Sequence, residues 1–182
     1  MAMAEVPAFD HEQQRLRTRI RVWLALFVTG LVLSGLTAFP LQTELEVLTR
    51  WLGVPDGVRP EAYMGFTHWL VTVRNGLQDT YAKYPFVGYG MDWLAFAHLI
   101  IALLFIGPWR DPVRNAWVVR WGLWACALVV PLAFICGEVR GIPWGWRLID
   151  CSFGVVGCVP LWLVRGYTRQ LALSCGVGRA RE

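Results

Sequence analysis

The sequence predicts an all-α polytopic membrane protein: a four-transmembrane-helix bundle with a partly helical outer loop. Composition is the first observation. Of 182 residues, 56% are hydrophobic and only 16% are charged, against about a quarter charged in soluble domains. The second is four continuous apolar runs, residues 22–39, 92–108, 117–136 and 148–165. Each is close to the roughly 20 residues that carry a helix across a hydrocarbon core about 30 Å thick. The third is the placing of the arginines. They stand in short groups between the runs and not in one basic face, so the net charge of +4 reads as a topology signal and not as a nucleic-acid surface. Strands are excluded because the runs lack period-2 alternation, and an open sheet edge in lipid would leave backbone groups unpaired.

Residues 1–21 form a cytoplasmic tail ending in Arg15, Arg17, Arg19 and Arg21. The first run, stopped by Pro40, reads as a retained signal anchor. Its leading segment is long and carries Glu5, Asp10 and Glu12, and its apolar core exceeds that of a cleaved signal peptide. Gly30-x-x-x-Ser34 within it reads as a close-packing face. The outer loop, 41–91, is far longer than an ordinary connection and rich in aromatic residues, which argues for order. Within it, 41–52 reads as a short helix with Thr43 as N-cap and Gly53 at its end, and "VPDGVRP" as a turn. A second helix over 61–81 places Tyr63, Phe66, Leu70, Val73, Leu77 and Tyr81 on one apolar face, opposite Glu61, His68, Thr72, Asn75 and Asp79. Such a helix suits the membrane interface or the mouth of the bundle.

The second run is stopped by Gly107-Pro108 and followed by Arg110, Arg114 and Arg120; the fourth ends at Arg165 and is followed by Arg169, Arg179 and Arg181 in a tail over 166–182. With four spans, all three arginine-rich pieces fall on one side, which places both termini in the cytoplasm. Pro131 and Pro160 are expected to kink the third and fourth spans. Trp51, Trp69, Trp93, Trp109, Trp117, Trp144 and Trp146 lie near the predicted boundaries, as interfacial anchors do.

From residue 84 onward, "YPFVGYGMDWLAFAH", "GPWRDPVRN" and "GIPWGWRLIDCSFG" resemble segments of a group of small, uncharacterised bacterial inner-membrane proteins with four spans. The resemblance covers the C-terminal half and the end of the outer loop. It implies four spans and the bacterial inner (cytoplasmic) membrane, and no activity or functional residue. Four-span quinone reductases that oxidise thiols carry a Cys-x-x-Cys, which this chain lacks.

Ionisable residues in or beside a span are the candidate binding residues, since lipid makes them expensive. Asp92 stands at the outer mouth of the second span, where it could cap the helix. His98 lies deeper and needs a hydrogen-bond partner on another helix; it reads as structural or as a ligand. Arg147 and Asp150, three apart at the start of the fourth span, can pair along it. Two cofactors come into question: a b-type haem held by His68 and His98, or a quinone near His98. No metal site is read, because no tight ligand spacing such as His-x-x-x-His occurs. Cys136 and Cys151 flank the outer turn "GEVRGIPWGWRLID" symmetrically and could form a disulfide if their Cβ vectors converge. Cys126 and Cys158 are symmetric deeper in the same hairpin. The reading is a binding or assembly subunit that holds an amphiphile or a partner membrane protein, or a second copy, at the outer leaflet, surrounded by membrane lipid. A redox or electron-transfer protein is the alternative, and whether the chain is an enzyme stays open.

Overall fold

The computed structural model describes residues 6–176, and they are helical throughout their regular structure, with no strand among them. Glu5, Arg179 and Arg181, and the side chain of Asp10, lie outside the described residues. Seven α-helices occur in the described chain: α1 Val6–Ala38, α2 Leu41–Trp51, α3 Gly65–Lys83, α4 Phe86–Leu104, α5 Ile106–Arg110, α6 Ala116–Val139 and α7 Trp144–Ser174, with a 3₁₀ turn at Pro60–Ala62. Four helical stretches are long and apolar enough to cross a membrane: His11–Ala38, Phe86–Arg110, Ala116–Val139 and Trp144–Ser174. The all-α expectation therefore holds.

The helices overrun the apolar runs. Between Pro7 and Gly30 the chain has no helix breaker, so α1 runs back through all four arginines, whose straight side chains suit a helix. Pro40 does end it, and α2 begins at once. The second span breaks a turn before the expected stop. Pro108 has no N–H for the Leu104 carbonyl, so α4 ends at Leu104, and Gly107 and Pro108 fall inside α5. Pro131 and Pro160 lie within α6 and α7, which continue through them. Thr43 does not cap α2; Pro40 holds that position without a side-chain bond.

The chain divides into two compact units: the residues up to Gly30 with those from Ala102 onward, and Leu31–Ile101. In the first unit α6 and α7 form a tight antiparallel hairpin. Its turn is a Schellman closure: Ile142 N–H bonds the Gly137 carbonyl at 2.8 Å, and Gly141 supplies the left-handed residue at φ +65°. The seam buries Val118, Val119, Leu161, Val164 and Leu171. Leu16, Ile20 and Leu24, four apart on α1, are buried in the same unit, and the Phe27 and Phe105 rings pack at 4.8 Å. The arginine-rich pieces meet here. Arg19 lies over the Tyr167 ring at 5.7 Å, and Arg17 and Arg21 share a groove with Trp109 and Arg110.

In the second unit the end of α1 packs on α4 through Gly35. A Cβ there would lie 2.9 Å from His98 Cβ and 3.0 Å from the Ala95 carbonyl oxygen, whereas Gly30 has open space around it. The close contact thus falls at Gly35, five residues beyond the small residue singled out by spacing.

Candidate functional site

Helices α2 and α3 of the second unit are organised by polar side chains. Leu70, Val71 and Arg74 are the buried residues of α3, facing Leu45 and Thr49 of α2. Phe66, expected on the apolar face, is 52% exposed. Arg74, 1% exposed, donates from Nη1 to Thr49 Oγ1 at 3.1 Å, from Nη2 to the Pro55 carbonyl at 3.4 Å and from Nε to Asn75 Oδ1 at 3.1 Å. The Asp56 carboxylate stands 3.8 Å away in solvent. Asn75 Nδ2 donates to the Val58 carbonyl at 2.9 Å, and His68 Nδ1 to the Pro60 carbonyl at 2.8 Å. The polar side chains of α3 are therefore a clamp on the connection between α2 and α3, whose carbonyls need donors.

Glu46 adds a second tie. Its Oε1 accepts from Gln78 Nε2 at 2.9 Å and from Gln42 Nε2 at 3.0 Å. The Gln78 bond first, then the Gln42 bond, holds its carboxyl below the ordinary value of 4.5. A lowered folded-state pKa gives stability that is present above the unfolded value and lost as pH falls through the folded one. The α2–α3 pair should accordingly loosen below pH 4.5, read as a change in tryptophan emission during acid titration. Glu46→Ala should remove that step.

Of the residues singled out at the second span, Asp92 is not a cap. Because α4 begins at Phe86, Asp92 lies within the helix and is exposed. His98 is half-buried, and its partner is its own helix: Nδ1 donates to the Leu94 carbonyl at 2.8 Å. The preceding turn supplies the acceptor that was expected from a neighbouring helix. Both His68 and His98 thus spend Nδ1–H on a backbone carbonyl, and Nε2 has no hydrogen-bond partner among the described residues. Gly35→Ala should push on the His98 Cβ and the Ala95 backbone, costing about 1–3 kcal/mol as overpacking does. Thermal unfolding in detergent measures it.

Arg147, 6% exposed, does not pair with Asp150. Helical side chains lean toward the helix N-terminus, so Arg147 reaches back to the turn. Its Nη1 donates to Glu138 Oε2 at 2.6 Å and its Nε to the Ile142 carbonyl at 2.7 Å. The guanidinium lies 5.3 Å over the Trp144 ring, and its stem rests on Gly137, where a Cβ would come within 2.9 Å of three of its atoms. Asp150, a turn further in, is half-buried and has no hydrogen-bond or ion-pair partner among the described residues.

All five cysteines are free thiols, Cys136 exposed and Cys151 buried. The two that share one place in the fold are Cys126 and Cys158. They border an apolar groove of about 450 Å³ along α6 and α7, with Val130, Gly154, Val159 and Trp162. None of Asp92, His98, His68, Arg147 or Asp150 lines it. No group of three or more metal-ligating side chains occurs among the described residues. Fold and polar groups together define a class, an all-α chain with four helices able to span a membrane. No family model, curated protein or solved structure matches it.

Proposed function

We propose that the chain is an integral protein of the bacterial inner membrane, with both termini in the cytoplasm. It acts there as an assembly or binding subunit that holds a partner membrane protein or an amphiphilic ligand at its outer-leaflet face. The four apolar helices support the membrane setting. The meeting of Arg17, Arg19, Arg21 and Arg110 at one end of the first unit supports a single cytoplasmic end under the positive-inside rule. Tags at the two termini should both be inaccessible from outside the cell.

The observation that carries the binding role is the unpaired Asp150. It lies about 9 Å along α7 from Trp144, at 1.5 Å per residue, between the exposed Leu148 and Phe153. An acid in a span is costly unless it is paired or wet, and the described residues supply it no cation. A basic side chain on a partner helix, or the amine of an amphiphile, offsets that cost. The spans also leave room for a partner, since the most apolar stretches of α1, α4 and α6 are each only 17% buried. Extraction in mild detergent followed by native mass measurement tests the reading. The expected result is a bound protein or amphiphile that Asp150→Asn releases while helical circular dichroism is unchanged. A bare monomer, or equal retention by the variant, sinks it.

The free Nε2 atoms of His68 and His98 favour a second reading, a b-type haem or a quinone beside His98. An Nδ1–H tied to a carbonyl is how metal-binding histidines are oriented. A Soret band lost in both His68→Ala and His98→Ala supports haem; a colourless protein removes it.

A further inference from the structure

Cys126 and Cys158 are the two thiols that the hairpin brings to one groove. Cys126 sits about 15 Å along α6 from Ala116, at 1.5 Å per residue, and so in mid-span. Glycine sets the approach. A Cβ at Gly154 would lie 2.5 Å from the Cys126 carbonyl oxygen, and one at Gly157 would lie 3.0 Å from Cys126 Sγ. With those positions bare, α7 lies close against α6 at Cys126, and both thiols border the groove. We propose that Cys126 and Cys158 form a dithiol site for a soft, thiophilic metal or metalloid centre that arrives through the lipid as a neutral species.

The donor set selects this class. Ala127, Val130, Val155, Val159 and Trp162 wall the groove, and no carboxylate or imidazole lines it. Hard cations need six or more oxygen ligands and zinc needs four ligands, whereas soft centres choose sulfur. A bare cation is strongly penalised in hydrocarbon; a neutral complex is not. The exchange is neutral throughout. A centre MX₂ and two R–SH give M(SR)₂ and two HX: two S–H and two M–X bonds break, two M–S and two H–X bonds form, and no electron is transferred. Two thiols on one rigid hairpin hold the centre more tightly than either alone, because the second bond forms intramolecularly.

Phenylarsine oxide is the probe, on the full chain in mild detergent; each molecule takes two thiols and releases one water. The expected result is one phenylarsenic unit per chain, released by a small dithiol and not by a monothiol. Replacing Cys136, Cys151 and Cys175 together with Ala should leave the adduct in place, and Cys126→Ala or Cys158→Ala alone should abolish it. An adduct surviving either single replacement, or none on the unaltered chain, overturns the proposal. Should a variant lose its helical circular dichroism, the unaltered chain decides. After loading and unfolding in detergent, Cys126 and Cys158 must be the pair protected from maleimide. Protection of another pair, or of none, overturns it.

Discussion

Arg74→Ala should destabilise the α2–α3 assembly by about 2–4 kcal/mol, from the range for truncating a large buried side chain and the loss of charge-assisted hydrogen bonds. The variant leaves the Pro55 carbonyl and Thr49 Oγ1 without their guanidinium donors and opens a hole beside Leu70 and Val71. Asp56 contributes little, because its side chain is 82% exposed and an exposed partner is screened. Asp56→Ala should therefore cost less than about 1 kcal/mol. Arg74→Lys should rescue only in part, since an ammonium cannot reproduce the planar fork. Hydrogen exchange over residues 41–83 is the measurement. Protection in Arg74→Ala equal to the unaltered chain would mean that the guanidinium does not hold these elements together.

Gly154→Val should be the most damaging single change in the α6–α7 hairpin. Even a bare Cβ would stand 2.5 Å from the Cys126 carbonyl oxygen, and that atom is backbone, so only separation of the helices relieves the clash. Overpacking costs about 1–3 kcal/mol and sometimes more, and a β-branched side chain lies at the upper end. Gly166→Ala is the control: it has open space around it and should be neutral or stabilise by up to about 1 kcal/mol, the glycine penalty in a helix. Thermal unfolding in detergent separates the two. Maleimide should also reach Cys126 and Cys158 faster in Gly154→Val. A melting temperature matching that of Gly166→Ala would refute the close approach.

Some of the candidate site could be read from spacing. The depth match of Cys126 and Cys158 follows from antiparallel helices about a turn, and their place on one groove agrees with it. The expected pairing of Arg147 with Asp150 does not form, because pairing at i,i+3 ignores the N-terminal lean that sends its guanidinium to Glu138 and Ile142. Arg74 was missed entirely. A period-3.6 reading assigns a cation to solvent, and Arg74 falls beside Leu70 and Val71 on the buried face. A usable signal was present in "VPDGVRP", whose prolines mark a connection with carbonyls to satisfy and few N–H groups of its own. Donors spaced along the facing helix, at His68, Arg74 and Asn75, answer it.

By itself the sequence determined the class of fold and the number of helices long and apolar enough to span a membrane. Unbroken apolar length forces helix in lipid, whatever the helices pack against. Tertiary structure decided the partners: Gly35 and not Gly30 at the α1–α4 contact, the backbone carbonyls that hold His68 and His98, the solitary state of Asp150, and the place of the two thiols on one groove. These depend on how helices rotate and slide against one another, and that is set by close fit at glycines and by side-chain direction. Hydropathy along the chain carries neither.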